Sequence, residues 1–363
     1  MPSPSWLYPV SHLTDYRLPE NREHGFLAYA EAMYSTGELH QQLRLMDWTL
    51  DPTDLESKFW LCFLWGACYN AITPWVMLTR FRGVPRDEAS LARWYNRSFE
   101  RQRFDVDCRY RKSKMLACIA SYRSWLDGRS QADALLPLLL APPADQYRLL
   151  SAAANSWYTF GRLSVWNWIE AVAVVTRNQY ALDSPNFLLC DRVGSESNRN
   201  GVACVSGHHE LYTKHGKLKD STPIADADTG KLEAVAESLF VRARDAFSGR
   251  PGLHFVSRLN METVFCWYKK MFSRPTNSRY LGWDGDRTWE ELRYLESHWP
   301  EYPVLPLYDA RAAALPDYLR AECLPSGCVR GVNKTKMAIF SSSGLMPDVY
   351  HHQNREGHFL WGI

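Results

Sequence analysis

The chain has 363 residues and carries 42 Lys and Arg against 40 Asp and Glu, a formal net charge of +2. That length supports one large domain or two smaller ones, each with a buried core, so stability requires no disulfide or metal staple. The near balance of charge excludes a global field as the source of nucleic-acid affinity, which would have to come from local basic patches. Nine cysteines, odd in number and without framework spacing, suit a reducing compartment in which thiols pack as small apolar groups.

In chain order, the start Met1-Pro2-Ser3-Pro4 has no basic stretch followed by an apolar one, so a secretory signal is not expected. Residues 59–79 carry no charge and would just span a bilayer. Asn70, Thr73, Pro74 and Thr79 interrupt the run, however, and the mean hydropathy of the chain is -0.37. A buried pair of helices breaking near Pro74 is the better account.

Helical periodicity dominates, and alternating strand patterns are scarce, so the expected fold is mainly α, a compact multi-helix enzyme of one or two lobes. Helices are expected over about 39–46, 55–80, 89–101, 111–126, 146–175, 232–247, 289–299 and 311–322. The consecutive prolines Pro142 and Pro143 end one helix and suggest a boundary between an N-terminal lobe, 1–144, and a C-terminal lobe, 145–363. Residues 183–228 read as a long irregular region, functional rather than disordered because Phe187, Leu188, Leu189, Val202 and Val205 anchor it. Thr288 and Glu291 have capping-box spacing, and Asp284-Gly285 ahead of them reads as a turn.

Three constellations could carry chemistry. Arg93, Arg97, Arg101, Arg103, Arg109, Arg111, Lys112 and Lys114 form a basic run interleaved with Trp94, Tyr95, Phe99, Phe104 and Tyr110. Such a surface attracts phosphates and stacks on exposed bases, although a solvated helix face has the same composition. Arg162, Trp166 and Glu170 align along one side of a helix, as a pocket wall or as a structural ion pair packed on an indole. The segment 191–201, DRVGSESNRNG, has small residues that admit an anion to backbone N–H groups. Ser195 and Ser197 add hydroxyls there, and Arg192 and Arg199 add charge. It lacks the Gly-Lys-Ser/Thr of a nucleotide loop, and Asn200-Gly201 also fits a tight turn. Cys190, Cys204, His208 and His209 fit no common zinc spacing, so no metal site is expected.

Taken in order, KFWLCFLWGACYNAITPW, RYRKSK, FGRLSVWNWIEAV and DRVGSESNRNGVACVSGHHE resemble the phage amino acid:DNA transferases, also called α-glutamyl/putrescinyl thymine pyrophosphorylases. The likeness runs from about Leu55 to Glu210. It implies a substrate, DNA carrying pyrophosphorylated 5-hydroxymethyluracil, and a reaction in which an amino acid or polyamine displaces pyrophosphate. It also implies a setting, the cytoplasm of an infected bacterium with no membrane partner.

On that reading Glu170, Asp191 and His208 are candidate catalytic groups. Arg162, Ser195, Ser197, Arg199 and Asn200 are candidates for the pyrophosphate, and Arg97, Arg101, Arg103, Arg109, Lys112 and Lys114 for DNA. No cofactor is required by these residues, and magnesium stays open. A helical DNA glycosylase and a non-catalytic DNA-binding protein are the rival readings.

Overall fold

The computed structural model describes residues 19–35, 39–189, 196–207, 226–249, 256–271 and 284–314. Among them it is all-helical, with no strand. In chain order the helices are α1 (Pro19–Ser35), α2 (Gln41–Trp48), α3 (Leu55–Cys68), α4 (Ile72–Arg80), α5 (Glu88–Arg97), α6 (Met115–Leu126) and α7 (Gln131–Leu139). They continue with α8 (Pro143–Asn155), α9 (Arg162–Val175), α10 (Glu196–Ser206), α11 (Asp226–Phe247), α12 (Arg258–Met271), α13 (Asp284–His298) and α14 (Leu305–Ala314). Short 3-10 stretches, Phe99–Arg101 and Val106–Lys114, lie between α5 and α6.

The chain divides into two compact units. One spans His40–Pro185 and Thr288–Ala313, and its centre is the pair α3 and α9. Asp54 starts α3 by accepting the Ser57 N–H at 3.0 Å. Every residue from Ser57 to Cys68 is buried, which explains why this stretch shows no charged face. Gly66 sets the approach of α9, because a Cβ there would lie 2.7 Å from the Trp168 Cβ and 3.0 Å from the Ser164 carbonyl oxygen.

The chain turns at Tyr69, whose φ of 46° is left-handed, and not at Pro74. Pro74 instead sits in the first turn of α4, where its missing N–H costs nothing. No described helix is long and apolar enough to cross a membrane.

The boundary expected at 144/145 lies inside this unit. There Pro142 and Pro143 join α7 to α8, and the Gln146 amide donates to the carbonyls of Leu139, Ala141 and Tyr180. Thr288 and Glu291 form no capping box, since α13 already begins at Asp284 and makes Asp284-Gly285 helical. The buried Glu291 carboxylate accepts the Ala71 N–H at 2.7 Å and the Asn70 amide at 2.8 Å. It therefore caps α4 rather than its own helix.

The other unit contains α1, α10, α11 and α12. Part of the region expected to be irregular is helical here, since α10 occupies 196–206. Gly201 is not a turn residue: a Cβ on it would come within 2.2 Å of the Phe265 carbonyl oxygen, so its absence lets α10 and α12 pack directly. Phe187 packs edge-on to Phe240 and Phe265, and Leu189, Val202 and Val205 are buried with it. These are four of the five apolar anchors the sequence identifies, and the fifth, Leu188, is half-buried.

Candidate functional site

Helix α9 opens at Gly161, which offers no capping side chain, so its first-turn N–H groups depend on other partners. Arg162, the first helical residue, is half-buried, with its guanidinium 5.4 Å from the centroid of Trp166. Tyr147 of α8 meets Trp166 edge-on at 6.0 Å. One turn further, Glu170 is buried, and its Oε1 lies 2.6 Å from Nε2 of His40. The cation, indole and carboxylate of the predicted helix side are thus all present, and an imidazole completes the row.

His40 is a functional candidate that the sequence does not single out. It stands immediately before α2 with φ 55° and ψ 37°, a left-handed conformation uncommon for a residue with a Cβ. Both side chains of the pair are 2% exposed. An acid and an imidazole this close together and out of water can pass a proton between them.

A second buried ion pair steadies the same helix. Asp47 of α2 accepts from Lys58 Nζ of α3 at 2.7 Å, and Lys58 also reaches the Val175 carbonyl at the end of α9. Burial raises the Asp47 pKa above the ordinary carboxylate value, with Lys58 opposing the shift. Helix α2 is therefore tied to α9 at one end and to α3 at the other.

The residues predicted for pyrophosphate are distributed differently from a single loop. Arg199 and Asn200 lie on α10, and Ser197 is a residue of the same helix. Arg199 donates to the Leu189 carbonyl at 3.3 Å, and Asn198 to the Phe187 carbonyl at 3.2 Å. The Glu233 carboxylate takes the N–H groups of Phe187 and Leu189. Cys190, Asp191, Arg192, Ser195, His208 and His209 lie outside the described residues. Among the described residues no three His, Cys, Asp or Glu side chains gather as a metal site.

The basic run splits by environment. Arg111 is fully buried and does not belong to a surface stripe. Its guanidinium donates to the Ala67 carbonyl, to Thr159 Oγ1 and carbonyl at 3.0 and 2.7 Å, and to Ser164 Oγ at 2.6 Å. The 3-10 period is the reason: Asp105, Cys108 and Arg111, three apart, share the inward row.

Arg101 pairs with Glu301 at 2.8 Å and lies 4.0 Å from the Trp299 ring, while Arg103 lies 4.5 Å from the Tyr294 ring. Lys112 sits 4.6 Å from the Phe99 ring, and burial lowers its pKa below the ordinary lysine value. Arg97, Arg109 and Lys114 are exposed. Of the interleaved rings, Tyr95 and Phe104 are buried, Trp94 and Phe99 are half-buried, and Tyr110 is 52% exposed. Stacking on bases is therefore open to Tyr110 and closed to Tyr95 and Phe104.

Among its described residues the unit is thus all-helical, with a buried acid–imidazole pair beside a stacked arginine and with exposed cations on its surface. Residues 37–277 match the family described as amino acid:DNA transferase. The chain is 46% identical over 365 residues to the serinyltransferase of Salmonella phage ViI, covering 97% of this chain and 88% of that protein. No solved structure matches. The chain belongs to the amino acid:DNA transferase family and is an enzyme of that class. The match extends beyond residues 55–210, which carry the resemblance in the sequence.

Proposed function

We propose that this transferase displaces pyrophosphate from 5-(pyrophosphoryloxymethyl)uracil in DNA and joins serine to the exocyclic carbon. The observation that carries the choice of serine is the 46% identity, across 97% of the chain, to a protein named a serinyltransferase. The sequence reading expects an amine nucleophile. Serine offers an α-amine and a hydroxyl, and either must lose a proton as the new bond to carbon forms and the carbon–oxygen bond to pyrophosphate breaks.

Glu170 is the base in this reading, with His40 held against Oε1 to orient the carboxylate and share the proton. Arg162 meets the charge that grows on the departing oxygen, an interaction stronger in the transition state than in the bound substrate. Asp191 and His208 remain candidates for proton transfer, and Ser195, Ser197, Arg199 and Asn200 for the pyrophosphate, on sequence grounds. Arg97, Arg109 and Lys114, exposed on the surface, are the leading contacts to DNA.

The test is mass spectrometry of nucleosides after incubating the protein with pyrophosphorylated hydroxymethyluracil DNA and an equimolar pool of amino acids and polyamines. A seryl adduct with stoichiometric pyrophosphate is expected. Labelling the product with an amine reagent separates the linkages, because attachment through oxygen leaves a primary amine. A glycyl or polyamine adduct in place of the seryl one would overturn the choice of serine.

A further inference from the structure

A cavity of 610 Å³ opens in the same unit, between the 83–86 loop and the turn from α6 to α7. Arg86, Arg123 and Arg129 line it, with Glu56 as the single carboxylate. Gly83 and Gly128 form part of its wall, and a Cβ on either would meet nothing within 4 Å, so the backbone there faces open space.

The carboxylates near this cavity are already engaged. Glu56 accepts the N–H groups of Gln131 and Ala132 at 3.1 and 2.8 Å, so it caps α7 with both oxygens. Asp87 caps α5 by accepting the Ser90 N–H at 2.9 Å. Glu88 contacts Arg123, but its side chain is 68% exposed, and such a surface pair is easily displaced.

The guanidiniums are not neutralised to the same degree. Among the described residues, Arg129 donates to the main-chain carbonyls of Leu126 and Trp125 and to no side chain. Arg86 makes no hydrogen bond or ion pair with any described residue. Three like charges facing one concavity repel, and an oxyanion would relieve that repulsion while taking bidentate bonds from them.

We infer that this arginine-lined cavity is a phosphate-oxyanion site, separate from the Arg162–Glu170 row on α9. Its ligand is either inorganic pyrophosphate or the phosphodiesters of the DNA backbone, two sources of one chemistry. The inference does not depend on which nucleophile is used or on Glu170 acting as base, since its test requires binding and no turnover.

The test compares the wild-type chain with the Arg86→Ala, Arg129→Ala double variant in two assays. One is calorimetric titration with inorganic pyrophosphate. The other is retention of unmodified duplex DNA across a salt series. A loss of about tenfold or more in pyrophosphate affinity with DNA retention intact assigns the site to pyrophosphate. Weaker DNA binding with the salt slope reduced by about two assigns it to backbone phosphates.

Unchanged binding of both probes overturns the inference. Arg86→Ala alone keeps the question decidable if the double variant misfolds, because Arg86 is exposed and its removal breaks no internal contact. Arg86→Lys should restore part of a backbone contact and little of a bidentate one.

Discussion

His40 Nε2 lies 2.6 Å from Glu170 Oε1, and both side chains are sealed from solvent at 2% exposure. Sealing strengthens the pair, because in a low-dielectric site a charge or a hydrogen bond is screened far less than in water. It also makes the carboxylate costly to hold unless it has a task or a partner. Glu170→Gln keeps the size of the side chain beside His40 and removes the proposed base. Turnover should fall by about a hundredfold or more, while the melting temperature and DNA retention change little. Equal losses in all three would identify the pair as structural.

Arg111 separates stability from DNA binding within the basic run. Arg111→Met should cost several kcal/mol, at about 1–3 kcal/mol for each buried group left unpaired, because it strands the carbonyls of Ala67 and Thr159 and the Ser164 hydroxyl. Exposed Arg97→Gln should stay within about 0.5 kcal/mol. Urea denaturation of the two variants decides, and equal midpoints would refute the assignment of Arg111 to the core.

The helical class was legible because long stretches repeat at helical period, and the uncharged run 59–79 reads as interior, which its burial matches. Features set by distant contacts were not. Thr288 and Glu291 have the spacing of a capping box, yet spacing cannot reveal that Glu291 meets Ala71 across the unit. Gly201 carries the composition of a turn, whereas the approach of Phe265 fixes its role.

Arg111 looks like Arg109 until a 3-10 stretch imposes a period of three and turns one inward and the other out. His40 precedes a short helix in an otherwise featureless segment, and only the fold brings it to Glu170. The Glu170 candidate itself was readable, since Arg162, Trp166 and Glu170 share one helix side at any level of detail.

The cysteines give a pH-dependent check on the core. Burial pushes the Cys108 and Cys118 thiols up to about 11, above the ordinary value of 9.0, and raises Cys62 and Cys68 well above that value too. Only about one in a thousand of the Cys108 and Cys118 thiols is then ionised at pH 8. Among the described cysteines, maleimide should reach half-buried Cys266 first and the five buried ones only after denaturation.

Because these folded-state values lie above the unfolded ones, the unfolded chain loses its protons first as pH rises. The stability contribution is therefore full below about 9 and declines as pH rises towards 11. Rapid native labelling of Cys118 at pH 8 would contradict the burial.

The salt dependence of DNA binding should divide the basic run along the line the structure draws. Arg97, Arg109 and Lys114 are exposed, and the hydrogen bonds of Arg97 and Arg109 run to carbonyls of their own local backbone, Arg93 and Val106. Such side chains can swing to a phosphate at little cost, releasing a counterion each. Arg101 would first have to leave Glu301, the His298 carbonyl and the Trp299 ring. Arg103 would have to leave the Tyr294 ring and the Glu100 carbonyl.

Neutralising Arg97, Arg109 and Lys114 together should therefore lower the slope of log affinity against log salt by about one unit per residue lost. Neutralising Arg101 and Arg103 should change it less and lower thermal stability more. Fluorescence anisotropy with a labelled duplex at five salt concentrations supplies both slopes. If the first set leaves the slope untouched while the second flattens it, phosphates reach the ring-stacked arginines, and the exposed row is only a solvated face.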